Sequence, residues 1–313
     1  MNQQYYYYKA FGLIFKSCIE HPEFFAEVAT SEPDCLISFG PVPHNLNKPD
    51  AVGGVYQFQG QKFILRIEHV GRYLIENGDK ITIEKLPGAT DRETIVFLWA
   101  SAVAVLLHQR GKLIVHGSSV MLGENAIIFS GSSGSGKSTI ASTFATHKGA
   151  MIISDDISAI SINSSGLPVV LPGYPVMKLW RDSSDKLGLE WDDSRLIRER
   201  VNKMMVNIND KFLRHAVPLR QLYLLSYKNN GPVAIHEVNG YKKLELLTEK
   251  IFRKKFLKKQ ESGNVDIFTE ASKILPKIRI CTLQRLHGIV RLDETIEMIE
   301  KDLLQSGIIK GIE

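Results

Sequence analysis

Cysteine is scarce in this chain: Cys18, Cys35 and Cys281 are the only three, far apart and without a CxxC pair. That excludes a disulfide framework and a cysteine zinc site, and makes a reducing compartment the easier setting. Long apolar runs are missing too. The longest, residues 95–107, has about thirteen members against the roughly twenty that cross a bilayer. Met1-Asn2-Gln3-Gln4 leads into four tyrosines with neither a basic nor an apolar leader segment, so no signal peptide is read there. A soluble, cytoplasmic chain with no membrane partner is the expectation. Nor is there a large excess of one charge. The net charge of +5 suits an anionic ligand or an acidic peptide at least as well as nucleic acid. Internal repeats and low-complexity segments are absent. What remains is ordinary globular composition, 44% apolar and 23% charged over 313 residues, enough for a real core and a length that suggests two units.

The pattern changes near Pro87-Gly88-Ala89-Thr90-Asp91. Residues 1–90 read as a small β-rich domain. Strands are expected at 35–39, 54–58, 62–67 and 80–83, with hairpin turns at Gly60-Gln61 and Asn77-Gly78-Asp79. The tyrosine run reads as one face of a sheet. Residues 91–313 read as an α/β domain with a mixed central sheet and C-terminal helices. Thr90 or Asp91 caps a helix that carries Ile95, Leu98, Val103, Leu106 and Leu107 and ends at Arg110-Gly111. Its apolar residues nearly encircle it, so it is expected between layers. Strands follow at 113–116 and 126–129, then a glycine-rich loop, a helix from Lys137 to about His147, and a strand at 150–154. That order is a βαβ unit. Beyond it, 164–175 reads as turns, 219–227 and 233–236 as strands, and the last third as mainly helical. That third includes a basic stretch at 242–259 and an amphipathic helix at 292–304.

The loop Gly131-Ser132-Ser133-Gly134-Ser135-Gly136-Lys137-Ser138 fits G-x-x-x-x-G-K-[ST] in full, and Thr139 follows it into the helix. Gly131, Gly134 and Gly136 let backbone amides turn inward against phosphate oxygens, where a side chain would clash. The helix N-terminus adds partial positive charge. Lys137 supplies a full charge for β- and γ-phosphates, and the Ser138 hydroxyl suits magnesium. A nucleoside triphosphate such as ATP, with Mg2+, is therefore the expected ligand. Asp155 and Asp156 close the next strand. Side chains alternate along an extended chain, so one carboxylate can face a metal and the other an incoming nucleophile. Equally, Asp155 could cap the turn and Asp156 be solvated. His116-Gly117 closes the strand before the loop strand, and a lone histidine there is more often structural.

His116-Gly117, the G-x-S-G-x-G-K-S loop and Asp155-Asp156, in this order and near this spacing, resemble the catalytic domain of HPr kinase/phosphorylase. The resemblance implies Asp156 as general base toward a serine hydroxyl, Asp155 as the metal-side carboxylate, and His116 as a polar residue near the phosphates. Asp185-Lys186-Leu187-Gly188-Leu189 is similar to the family's D-R-L-G-L, with Lys186 where an arginine acts; lysine keeps the charge and loses the planar fork. The family's glutamate metal ligand has no counterpart, because the segment reads Leu171-Pro172-Gly173-Tyr174-Pro175-Val176-Met177-Lys178. That departure weakens reverse phosphorolysis and HPr as substrate. The wider pattern looks more like the divergent relatives that phosphorylate a serine of a lasso-peptide precursor. Tyr8-Lys9-Ala10-Phe11-Gly12-Leu13, Gln109-Arg110-Gly111 and residues 174–180 carry that likeness.

A serine kinase acting on a ribosomal precursor peptide is accordingly the leading expectation, with Lys178, Arg181, Lys186, Arg198, Arg200 and Lys203 as candidates for a second cation. An HPr-type protein or free serine are alternative acceptors. An ATP-binding switch or scaffold with little turnover is the alternative class, its partner surface at 242–259. A homo-oligomer is compatible with either. A phosphoenolpyruvate-carboxykinase-like enzyme shares a similar loop, but the chain is short for one and lacks a His/Lys metal cluster. Nucleic acid is not expected, since the basic run has few aromatics.

Overall fold

The computed structural model describes residues 4–30, 32–186, 190, 192, 196–198, 201–254, 267–286 and 292–310. Alternating burial builds the first sheet. In β2 (Leu13–Ser17) Leu13 and Phe15 are buried, and in β7 (Gly71–Glu76) Tyr73 and Ile75 are, while their neighbours are half-buried. With β1 (Tyr6–Ala10), β3 (Cys35–Phe39), β4 (Ala51–Gly53), β5 (Tyr56–Gln59), β6 (Lys62–Ile67) and β8 (Lys80–Lys85) they form eight strands ordered β1-β2-β3-β8-β7-β6-β5-β4. β7 was not expected from the sequence. Leu74, apolar at a half-buried position between buried Tyr73 and Ile75, masks an alternation that the pairing with β6 and β8 reveals.

Thr90 caps the next element. Its hydroxyl accepts from the Glu93 amide while the Glu93 carboxylate accepts from the Thr90 amide, a reciprocal capping box. α1 (Asp91–Phe97) runs through one π-helical stretch at Leu98–Ala102 into α2 (Val103–Gln109), and Gly111 ends it at φ +82°. As the encircling apolar pattern predicts, the helix is buried between layers. Trp99 lies against Phe15, Phe24 and Tyr174. One apolar cluster runs from Phe15, Ile37 and Tyr73 through Leu106 to Ile114 and Ala159 of the second sheet.

The second sheet contains β9 (Leu113–Leu122), β10 (Asn125–Ser130), β11 (Met151–Ser154), β12 (Ile157–Ile162), β13 (Pro168–Leu171), β17 (Val217–Lys228), β18 (Ala234–Glu237) and β19 (Arg279–Leu286). A separate small sheet holds β14 (Val176–Trp180), β15 (Leu196–Arg198) and β16 (Val201–Asn207). The second sheet is mixed: β17 pairs in parallel with β10 and β19, and the remaining ladders are antiparallel. β10, α3 (Lys137–His147) and β11 follow one another as expected, but β9 lies between the two strands, antiparallel to both. α3 and α7 (Leu292–Gln305) cover one face, through Ile140, Phe144, Ile299 and Leu303. α5 (Tyr241–Glu249) and α6 (Ile267–Ile274) cover the other, through Leu247, Ala271 and Ile274.

Three sequence expectations need correction. The stretch read as turns includes β13, and β14 follows it directly. The last third is not mainly helical, because β19 pairs with both β17 and β18. Buried Cys281 and Leu283 do alternate with half-buried Thr282 and Gln284, but Ile280 beside Cys281 and the arginine at 285 on the buried face mask that alternation in the sequence. The basic stretch at 242–259 is helical in α5 only to Glu249, and 255–259 lie outside the described residues.

Candidate functional site

β10 delivers the loop 131–138 to α3. Gly134 and Gly136 take φ +78° and +82°, values that L side chains rarely adopt, so the turn needs glycine at both. Gly117 answers a different demand: a Cβ there would lie 2.8 Å from the Phe129 carbonyl oxygen, so the strand after His116 can approach β10 only without a side chain.

The loop runs straight into Lys137, Ser138 and Thr139 of α3, and Asp155, which follows β11, meets it through Ser138. Lys137 is buried, its Nζ donating to the carbonyls of Gly131 (3.1 Å) and Ser132 (2.9 Å). Burial pulls its pKa below the ordinary lysine value. Ser135 N–H closes the loop on the Ser132 carbonyl, and Thr139 Oγ1 lies 2.9 Å from Ser183 Oγ of α4 (Arg181–Lys186). Ser138 Oγ donates to Asp155 Oδ1 at 2.8 Å. Ser118 donates to the same oxygen at 2.6 Å, and the Lys178 amide donates to Asp155 Oδ2 at 2.9 Å. Asp155 is thus buried and held on both oxygens.

Asp156 turns the other way. It adopts φ +64°, a costly backbone state that lets consecutive carboxylates diverge. Its Oδ2 accepts from Lys178 Nζ at 2.8 Å, and Lys203 Nζ stands 4.0 Å from Oδ1. Burial alone would raise its pKa, but the charges of Lys178 and Lys203 outweigh it and hold the carboxyl far below its usual range. Lys178, itself buried, is driven the opposite way by Asp156. His116 Nδ1 lies 3.0 Å from the Asp156 carbonyl oxygen. A carbonyl only accepts, so Nδ1 carries the proton and Nε2 is the free acceptor. Burial, then Lys137, lower the His116 pKa, and the ring is neutral at pH 7.

A cavity of about 300 Å³ is lined by His116, Lys137, Ser138, Asp156, Lys178 and Lys203, and by Tyr227, Arg285 and Leu292 from β17, β19 and α7. Its size is at the small end of ligand sites, ~300–1,000 Å³. Ser138 and Asp155 offer adjacent hard oxygens, the donor type magnesium takes, and magnesium commonly uses only one or two protein oxygens beside phosphate and water. The donor set therefore fits that ion.

Not every expected residue is placed. Lys186 ends α4, but its side chain, with residues 187–189, lies outside the described residues, as do the side chain of Arg198 and all of Arg200. Arg181 begins α4 at an exposed position; among the described residues, Lys178 and Lys203 are expected cations that reach Asp156. Sequence reading missed Ser118, Tyr227 and Arg285. Ser118 was recoverable, since it continues the His116-Gly117 strand. Arg285 was not, being 150 positions from its partner Ser135.

No protein-family model matches the chain, and no curated protein matches it. Among solved structures, the chain is similar to one titled the Hpr(Ser) kinase/phosphatase from Coxiella burnetii. Identity is 9% and the TM-score 0.28, over 62% of this chain and 94% of that one. A TM-score of that size does not establish a shared fold.

Proposed function

We propose that this chain is an ATP- and magnesium-dependent kinase that phosphorylates a serine hydroxyl, with a ribosomal precursor peptide of the lasso type as its acceptor. The observation that carries the reading is the convergence of a complete G-x-x-x-x-G-K-S loop with two diverging carboxylates, Asp155 on Ser138 and Asp156 facing the cavity. Loop amides and Lys137 would hold the β- and γ-phosphates, and Ser138 and Asp155 would hold magnesium, which when bound neutralises charge on the phosphate oxygens. The acceptor oxygen attacks the γ-phosphorus, the bond to the β–γ bridging oxygen breaks, and ADP leaves. Asp156 accepts the hydroxyl proton. A carboxylate of such low basicity orients the hydroxyl first and takes its proton late, once the new bond is forming. Lys178 and Lys203, which line the same cavity, would meet charge on the transferring group. Trp180, 39% exposed at the cavity rim with Lys203 5.9 Å from its ring centre, is the surface on which an acceptor peptide would rest.

The test is mass spectrometry of serine-bearing precursor peptides, an HPr-type protein and free serine after incubation with enzyme, ATP and Mg2+. Transfer of one phosphoryl group to a peptide serine is expected from the wild type and not from Asp156→Asn. No transfer by the wild type, or full transfer by Asp156→Asn, would sink the assignment. The engagement of Asp156 by Lys178 favours a second reading, a nucleotide-dependent switch with little turnover. Calorimetric binding of Mg-ATP without transfer to any acceptor would select it.

A further inference from the structure

The phosphate loop has two unlike flanks. β10, which leads into it, lies between β9 and β17. The β9 side, with β11 and β12, brings Asp155 and Asp156, and Lys178 of β14 meets both there. The β17 side brings Tyr227 and, from the end of β19, Arg285. Arg285 is 6% exposed, yet it lines the cavity. Its Nη2 donates to the Ser135 carbonyl at 2.5 Å, and its guanidinium lies over the Tyr227 ring, 5.3 Å from the centre. Tyr227 OH in turn donates to the Gly134 carbonyl at 2.9 Å. A Cβ on Gly136 would come within 2.3 Å of Arg285 Nη2, so the loop glycine leaves room for this cation as well as for phosphate. Among the described residues no carboxylate pairs with Arg285, and its Nε is buried without a hydrogen-bond partner. A buried cation without a counter-charge is costly unless a ligand supplies one.

Resting on the nucleotide-binding reading above, we infer that Arg285, held over the loop by Tyr227, takes up the nucleoside-side phosphate and so fixes which way the nucleotide lies. The metal-bearing end of a triphosphate needs the carboxylates and therefore lies on the β9 flank. The nucleoside must then leave the loop on the β17 flank. There a planar guanidinium can meet the α-phosphate, and Tyr227 and Leu292 offer apolar surface to the base.

Two measurements test this. In calorimetry with Mg-ADP and with Mg-pyrophosphate, Arg285→Ala is expected to weaken ADP by about tenfold or more, as for the loss of a charge-assisted hydrogen bond. Pyrophosphate, still held by the loop and Lys137, is expected to weaken by less than about threefold on the same scale. Arg285→Gln keeps a donor for the Ser135 carbonyl without the charge and should follow Arg285→Ala; it also serves if the alanine variant does not fold. Photolabelling of the wild type with 8-azido-ADP should mark peptides containing Tyr227 or Leu292. Unchanged ADP binding, equal losses for ADP and pyrophosphate, wild-type ADP affinity in Arg285→Gln, or label on the Trp180 peptide would each overturn the inference. Failure of the wild type to bind ADP at all would instead overturn the nucleotide reading beneath it.

Discussion

Two single residues in the site bear demands that pull against stability. Lys178 is buried and answered by Asp156 at 2.8 Å, so the carboxylate proposed as proton acceptor is also the counter-charge of a buried ammonium. Asp156→Asn is therefore expected to abolish transfer and also to lower the unfolding free energy by about 2 kcal/mol, because the ammonium is left behind. Adding Lys178→Met should restore most of that stability while leaving transfer absent. Urea unfolding of the two variants checks it, and a double variant no more stable than the single one would refute the account. Gly117→Ala is a packing matter. Its Cβ would press on the Phe129 carbonyl at 2.8 Å and on Ile128 Cγ2 at 2.9 Å, both in the partner strand. A loss of about 1–3 kcal/mol is expected from the overpacking, visible as a lower urea midpoint at unchanged slope.

Among the elements, the helix after residue 90 was readable because its signals are local. The capping box spans Thr90 to Glu93, the stop is Gly111, and the encircling apolar pattern needs only the residues between. Thr90→Ala should cost about 1 kcal/mol, measured by chemical denaturation, with Glu93→Ala giving a similar loss since the two bonds are reciprocal. The π-helical stretch at Leu98–Ala102 was not readable. It turns Trp99 into an aromatic cluster drawn from Phe15, Phe24 and Tyr174, residues that come together only in the fold. β14 and β19 were missed for a related reason. β14, buried at four of its five residues, has no alternation to display, β19 masks its own with a buried arginine, and both are defined by partners that lie elsewhere in the chain.

Over the whole molecule, buried neutral histidines set the response to acid. His21 is 1% exposed beneath Tyr8, Phe24 and Trp99, and burial lowers its pKa to about 3. Burial lowers His108 and His116 as well. The unfolded chain takes up these protons below about pH 6.5 while the native state does not, so the folded state is favoured above that pH and loses stability as pH falls toward 3. His21 alone corresponds to about 2 kcal/mol at pH 5. The Asp156 contribution, with a depressed pKa, persists through this window and fades only below the usual carboxylate range. The urea midpoint should therefore be clearly lower at pH 5.0 than at pH 7.5, and equal midpoints would contradict the neutral-histidine account. No helix among the described residues is long and apolar enough to cross a membrane.

The sequence by itself determined the glycine-rich loop at 131–138, its following helix, the carboxylates after the next strand and the capped helix at residue 90. Each is written in contiguous residues whose backbone freedom, charge or periodicity can be read in place. Tertiary structure decided the rest. It inserted β9 between β10 and β11, turned Asp155 onto Ser138 and Asp156 onto Lys178, and brought Arg285 onto the loop from 150 positions away. Those outcomes depend on which strands become neighbours and on which buried charges find partners, and both are settled by packing across the whole chain rather than by any local pattern.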